Sequence, residues 1–385
     1  GVGKNDFMKK RVGVIFGGRS GEHEISIRSA KTVIEQIDKD KFDVVPIAIT
    51  NEGSWLNPVE SVKLFPESTQ ALFRNEFLDY SGTSTALIGD TKHQGLTTFG
   101  GDGPLHTTPI DVVFPVLHGT YGEDGTIQGL FEMADIPYVG CGVLSSSCGM
   151  DKAVMKSLFA DAGLPICRHV WFQRNRWEKD PESITIEVEE KLGYPCFVKP
   201  ANLGSSVGVS RADDATSLKE AIDLAAEYDR KIIVEEGIEM REIECAVLGN
   251  DDPKASLPGE YIIHDKEKAF LDYAEKYTGT GNNEFVVPSP IPNELTDRIR
   301  SMAVTAFQAV NGSGLARVDF FLRNSNNELL VNEINTMPGL TDASGYPKMW
   351  AGTGMAFTEV IDELIRLAFE RHADKARNKT SFNNG

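Results

Sequence analysis

The chain has 385 residues, of which 41% are hydrophobic, 25% charged and 9% aromatic. This length predicts two or three domains, each able to bury a core without disulfides or metal. A formal net charge of −18 argues against nucleic acid or an anionic membrane as partner, because both recruit basic patches; a local cluster of Lys and Arg could still receive an anionic small molecule.

Gly1 to Phe7 precede Met8 and read as a cloning remnant, and Gly1-Val2-Gly3-Lys4 lacks the spacing and the Ser/Thr of a phosphate loop. Residues 11–16 (RVGVIF) predict a buried strand, the turn Gly17–Glu22 follows, and residues 26–37 predict an amphipathic helix. With a strand at 42–49 this is a right-handed βαβ unit and a parallel sheet. Residues 58–105 show only short, irregular pieces. Residues 111–117 (DVVFPVL) predict a strand ending at His118. In an open parallel sheet, ligands sit beyond the carboxyl ends of strands, where both His118 and the Gly17–Glu22 turn lie.

Further on, 150–162 predicts one helix, 168–172 a strand, 184–192 a helix, and 197–199 a strand running into a Gly/Ser turn at 201–209. A helix at 217–227 and strands at 231–235 and 241–248 follow. Residues 264–290 are polar, contain aromatics and have no period, as lids do. A helix at 294–310, a hairpin of strands 316–322 and 329–334, and a helix at 357–371 close the chain. The expected domains are 1–151, 152–239 and 240–385. Cys141, Cys148, Cys167, Cys196 and Cys245 are odd in number and form no Cys-x-x-Cys pair. They read as reduced, mostly buried thiols of a cytoplasmic protein. No apolar run is long enough to span a membrane, and no signal-peptide pattern opens the chain.

The densest local chemistry lies in Arg317-Val318-Asp319 and Glu333-Ile334-Asn335. Residues two apart share one face of a strand, so Asp319, Glu333 and Asn335 gather hard oxygen donors of the kind that hold Mg²⁺ with a nucleotide. Arg317 has the parity of Asp319 and faces the same cleft. Lys199 ends a buried strand beside the small-residue turn Gly204–Gly208, and one cation with a row of N–H groups suits a phosphate chain. Lys152 and Lys276 are the other phosphate candidates. The strand end Glu235-Glu236-Gly237-Ile238 could read an adenine, and Glu242 the ribose hydroxyls. Glu22, at a turn near a helix N-terminus, could bind a substrate ammonium. The glycines of residues 17–22 are misplaced for a dinucleotide fingerprint, which argues against a dehydrogenase.

Taken together, GGRSGEHEISIRSA, HGTYGEDGTIQGL, MDKAVMK, FVKPANLGSSVGVS, VEEGIEMREIE, YAEKY, RVDFFL and NEINTMPGLTDASGYPKMW span residues 17–350. In this order they resemble the D-alanine–D-alanine ligase family, which has the ATP-grasp fold. The resemblance implies an α/β protein, with an N-terminal open parallel sheet domain and two α+β domains clasping ATP. It implies ligation of two D-alanines through an acyl phosphate for peptidoglycan precursor synthesis, two Mg²⁺ (or Mn²⁺), D-alanine and ATP as substrates, and a homodimer. On this resemblance Glu22 holds the first ammonium and His118 flanks that subsite. Lys152, Lys199 and Lys276 contact phosphates; Glu235, Glu236 and Ile238 line the adenine, and Glu242 the ribose. Asp319, Glu333 and Asn335 hold the metal ions. Arg317 and the Gly339 backbone stabilise the intermediates, and Ser344 binds the second carboxylate. Ser205 and Tyr277 link with Glu22 in a hydrogen-bonded triad. Alternatives are another ATP-grasp carboxylate–amine ligase, such as a D-alanine–D-serine ligase, and a non-catalytic ATP-binding module.

Overall fold

The structure, a computed structural model, describes residues 8–73, 77, 83–100, 103–203, 207–263 and 283–382. The chain opens with β1 (Lys10–Gly17), α1 (His23–Gln36) and β2 (Phe42–Ile49). Both strands are apolar and are buried over most of their length. Two short helices, α2 (Pro58–Val62) and α3 (Glu67–Gln70), precede β3 (Ser84–Leu87), β4 (Gly95–Gly100) and β5 (Gly103–Pro109). Then come β6 (Val112–Pro115), α4 (Thr126–Ala134), α5 (Val143–Met150) and α6 (Lys152–Asp161). The expected parallel sheet forms with order β2-β1-β6.

Two expectations for this half need correction. Residues 84–87, 95–100 and 103–109 are regular: β3, β4 and β5 make an antiparallel meander whose Leu87 and Leu96 are buried. The apolar run at 111–117 is a regular strand only over Val112–Pro115, although the Val116 N–H still donates to Ile15 O at 2.8 Å. The helix expected over 150–162 forms as α6, beginning at Lys152. Asp151 leaves the helical conformation at φ −84°, ψ 107°, and its side chain accepts from the N–H groups of Ala153 and Val154 at 3.0 Å each. This N-cap starts a new helix and puts Lys152 in its first turn.

The middle of the chain comprises β7 (His169–Gln173), α7 (Arg174–Lys179), α8 (Pro181–Lys191), β8 (Cys196–Pro200), β9 (Ser210–Ala212), α9 (Ala215–Tyr228) and β10 (Lys231–Glu236). Its antiparallel sheet, order β7-β10-β8-β9, is covered by its own core, with Val170, Phe172, Ile184, Val198, Leu218 and Ile232 among its members. The last part holds β11 (Met240–Gly249), β12 (Lys254–Ala255), β13 (Gly259–Ile263) and β14 (Asn283–Val286). It continues with α10 (Asn293–Ala309), β15 (Gly314–Arg323), β16 (Leu329–Asn335), α11 (Gly345–Gly352) and α12 (Phe357–Lys375). Its sheet runs β14-β13-β11-β15-β16, with β12 paired to β11. Of the expected long loop, 264–282 lies outside the described residues; its end is a strand, β14, paired with β13.

The largest core joins both ends of the chain. Val12, Val14, Phe16 and Phe114 pack in one cluster with Leu315, Tyr346, Val360, Ile361 and Leu364. Helix α12 reinforces that union: Arg371 stacks on Tyr138 at 4.1 Å and donates to the carbonyls of Tyr138 and Gly140. The first and last parts are thus held by shared apolar burial, while the β7–β10 layer keeps a core to itself.

Candidate active site

Strand register builds the polar face. Asp319 on β15 lies between Glu244 on β11 and Glu333 on β16, and Arg317 pairs with Asn335. Three carboxylates in one row across a sheet repel one another unless a cation intervenes. Arg317 supplies one. Its Nε lies 2.8 Å from Glu244 Oε1 and 2.8 Å from Asp319 Oδ1, and Nη2 donates to Asp319 Oδ2 at 2.9 Å. Asn335 Nδ2 donates to the same Oδ2 at 3.1 Å. The ladder shifts register between Asp319 and Phe320, a bulge of the kind that re-aims side chains beside active sites. Among the described residues, no three His, Cys, Asp or Glu side chains gather closely enough to hold a metal by themselves. The donors here are two carboxylates and an amide, which fit a hard cation only if phosphate or water oxygens complete its shell.

Across the cleft stand the lysines. Lys152, buried, donates from Nζ to the Leu203 carbonyl at 2.6 Å, and its backbone N–H to Ala201 O at 2.9 Å. Both contacts tie α6 to the turn after β8. Burial lowers its pKa, partly offset by the charge of Glu333. Lys199 is also pulled down by burial, but Glu235 and then Glu333 outweigh that, so its pKa is raised. Glu235, 3% exposed, sits between Lys156 at 3.8 Å and Lys199 at 3.4 Å. Burial pushes its pKa up, yet the two lysines bring it down to about 2. Its carboxylate is therefore committed to these cations, and only its backbone is left to meet a base. Glu236 is likewise taken by Arg168, at 2.9 Å, and by Arg323. Ile238 joins Cys167, Phe321, Leu330 and Met240 in a small apolar cluster next to these charges. Glu242 is exposed on β11.

The third wall comes from the first sheet. Ser26 Oγ accepts from the Gly17 N–H at 2.8 Å and donates to the Val116 carbonyl, locking the turns after β1 and β6 together. Ser20 Oγ donates to His118 O at 2.9 Å and accepts from the Glu22 N–H at 3.1 Å. His118 is 3% exposed. Its Nδ1 lies 3.1 Å from the Met337 carbonyl and its Nε2 3.0 Å from Ser29 Oγ, which accepts from the Leu340 N–H at 3.1 Å. A carbonyl only accepts, so Nδ1 carries the proton and Nε2 takes the Ser29 hydrogen. Burial lowers the pKa of His118 to about 4, with Arg317 adding to the effect. A neutral His118 thus fastens the 337–340 turn, including buried Gly339, to the first sheet. Ser344, 2% exposed, is the N-cap of α11, and its Oγ accepts from the Thr341 N–H at 3.0 Å.

One cleft is lined by Glu22, His118, Glu123, Lys152, Leu203, Glu333, Asn335 and Met337. It therefore brings together five residues singled out from the sequence: Glu22, His118, Lys152, Glu333 and Asn335. Arg317 and Asp319 lie beside Asn335 and Glu333 on the neighbouring strand. Ser205, Lys276 and Tyr277 lie outside the described residues. Sequence reasoning missed Glu123, Lys156 and Glu244. Glu123 stood within the HGTYGEDG turn, and Glu244 shared the strand parity of Glu242. Lys156, one helical turn after Lys152, gave no signal of burial.

The family model described as D-ala D-ala ligase N-terminus matches residues 11–141, and that described as D-ala D-ala ligase C-terminus matches residues 158–366. A D-alanine–D-alanine ligase of Heliobacterium modesticaldum is 46% identical over 97% of this chain and 98% of its own length. One from Bacillus licheniformis is 45% identical over 97% and 100%. Among solved structures, the VanG D-Ala:D-Ser ligase from Enterococcus faecalis superposes with a TM-score of 0.79 at 38% identity, over 94% of this chain and 99% of that one. The D-alanine–D-alanine ligase from Coxiella burnetii gives 0.78 at 34% identity, over 96% of each chain. With both halves of the family matched and relatives aligned over nearly its full length, the chain belongs to the D-alanine–D-alanine ligase family.

Proposed function

We propose that the protein joins two D-alanines into D-alanyl-D-alanine using ATP, as a step in peptidoglycan precursor synthesis. One observation carries this reading: a lysine suited to phosphate (Lys152), oxygen donors suited to a hard cation (Glu333 and Asn335) and a carboxylate suited to an ammonium (Glu22) line the same cleft. An oxygen of the first D-alanine's carboxylate attacks the γ-phosphorus and ADP departs. The acyl phosphate so formed has a good leaving group, and the amine of the second D-alanine displaces it as inorganic phosphate.

Within this scheme Glu22 orients the donor ammonium, and Ser205 and Tyr277 support Glu22. Lys152, Lys199 and Lys276 hold phosphate oxygens. Adenine rests against Ile238 and the backbone of Glu235 and Glu236, with Glu242 at the ribose. Asp319, Glu333 and Asn335 would hold two Mg²⁺ (or Mn²⁺), which neutralise phosphate charge when bound. Arg317 and the Gly339 N–H face the charge that develops at the carbonyl, and Ser344 at the start of α11 receives the acceptor carboxylate. The central β7–β10 layer (152–239) and the last part (240–385) clasp ATP, while residues 1–151 present the donor. The protein acts as a homodimer in the cytoplasm, where ATP is available; among the described residues no helix is long and apolar enough to cross a membrane.

Phosphate release from ATP tests the reading, with D-alanine, L-alanine, D-serine and D-lactate supplied separately. Release with D-alanine and little with L-alanine is expected. Equal turnover of the enantiomers would remove the substrate assignment, and faster release with D-alanine plus D-serine would favour a mixed dipeptide.

A further inference from the structure

Lys156, on α6, is 1% exposed, and the scheme above gives it no task. Burying an ammonium is costly unless its charge and its donors are met. Two partners meet them. Its Nζ lies 3.8 Å from Glu235 Oε2 and donates to the Asn332 carbonyl at 3.3 Å. Glu235 stands on β10 and Asn332 on β16, so one side chain reaches both the middle layer and the last sheet. Met155 beside it repeats the hold, its Sδ accepting from the Ile334 N–H at 3.4 Å. These two contacts on β16 fall on either side of Glu333. On the far side of Glu235, its Oε1 lies 3.4 Å from Lys199 Nζ, and Cys167 Sγ donates to Oε2 at 3.5 Å.

We propose that Lys156 is a positioning residue for ATP: it holds Glu235 so that this acid does not capture Lys199, and it holds β16 so that Lys199 and Glu333 keep a fixed relation. The inference rests on the phosphate role given to Lys199 in the ligase reading and deepens it. Lys156 lies outside the lining of the cleft, so it acts through Glu235 and β16 and touches no phosphate. The balance of charge carries the argument. Lys156, Glu235 and Lys199 together leave one positive charge for an anion. With Lys156 neutral, the remaining pair sums to zero. Among the described residues Lys199 is then the cation left in an ion pair with Glu235. A buried carboxylate holds its remaining partner strongly where polarity is low, and a phosphate oxygen must compete with it for the lysine.

Lys156→Met keeps an unbranched side chain and removes the charge. ATP affinity, measured by calorimetry without D-alanine, should fall about tenfold or more, as loss of one charge-assisted contact implies. The KM values for D-alanine should stay within about twofold of wild type. Adding Glu235→Gln removes the acid that captures Lys199, so the double variant should bind ATP more tightly than Lys156→Met alone. A packing role for Lys156 predicts the reverse, because the second substitution would only add its own loss. ATP affinity of Lys156→Met within about twofold of wild type, a double variant no tighter than the single one, or failure of both to fold would overturn the proposal. If only the double variant folds, an ATP affinity within about tenfold of wild type supports the proposal and a larger loss overturns it. A wild type that binds ATP but releases no phosphate with D-alanine would sink the ligase reading and leave this inference to the calorimetry. An active wild type with an indifferent Lys156→Met would sink this inference alone.

Discussion

His118 shows how a residue marked for chemistry can serve geometry. Its place at the carboxyl end of a parallel strand was readable from the sequence, but the use of both ring nitrogens was not, because Ser29 and Met337 are 89 and 219 residues away. The pKa near 4 has a stability consequence with a definite sign. Unfolded, this histidine titrates near 6.5; folded, it stays neutral to about 4. Between those values unfolding takes up a proton, so its contribution is complete above 6.5 and lost as pH falls toward 4. Each pH unit in that window costs about 1.4 kcal/mol at most. Urea unfolding from pH 7 to 4 should therefore show wild type losing stability more steeply than His118→Asn; parallel slopes would contradict the clamp. Lys199, Glu333 and Asn335 were singled out by strand-end position and parity alone. Lys156 and Glu244 were not, since a buried lysine and a row of aligned carboxylates exist only once strands have partners.

Elements were easiest to read where one period ran unbroken. The parallel β1–β2 pair, the long α10 and the β15–β16 hairpin all lie where their apolar spacing put them. The misses share a cause: short pieces whose pattern is set by caps or neighbours. Helix α5, rich in small residues and ended at Asp151, was not expected, and the β3–β5 meander is too short and polar to announce itself. Helix α11 was hidden by its Gly and Pro residues, yet it positions Ser344. At its first residue, a Cβ on Gly345 would stand 2.9 Å from Phe285 Cζ and 3.3 Å from Glu244 Oε1. Phe285 also fills the space above Gly259 and packs on Tyr261 at 4.7 Å between ring centroids. Gly345→Leu should thus destabilise by about 1–3 kcal/mol through overpacking and raise the acceptor KM. Adding Phe285→Ala should recover part of both losses in a double-mutant cycle. Strict additivity of the two substitutions would show that Phe285 does not limit this position.

At the scale of the molecule, two chain ends share one core and a middle layer keeps another. The site is polar because it lies where these units meet, beyond the ends of two sheets. Chain length suggested two or three units but could not say which elements share a core. The union of β1 and β6 with α11 and α12 depends on long-range packing that no local pattern encodes. The same arrangement gathers in one opening the groups proposed to bind phosphate, a cation and an ammonium, and the chemistry proposed for them is carboxylate activation by phosphoryl transfer. That claim has a direct readout in the fate of one oxygen atom. If D-alanine labelled with ¹⁸O in its carboxylate is turned over with ATP, one labelled oxygen should leave in inorganic phosphate for each peptide bond formed. Label retained entirely in dipeptide and unreacted D-alanine, with unlabelled phosphate released, would contradict an acyl phosphate and the reading of the cleft built on it.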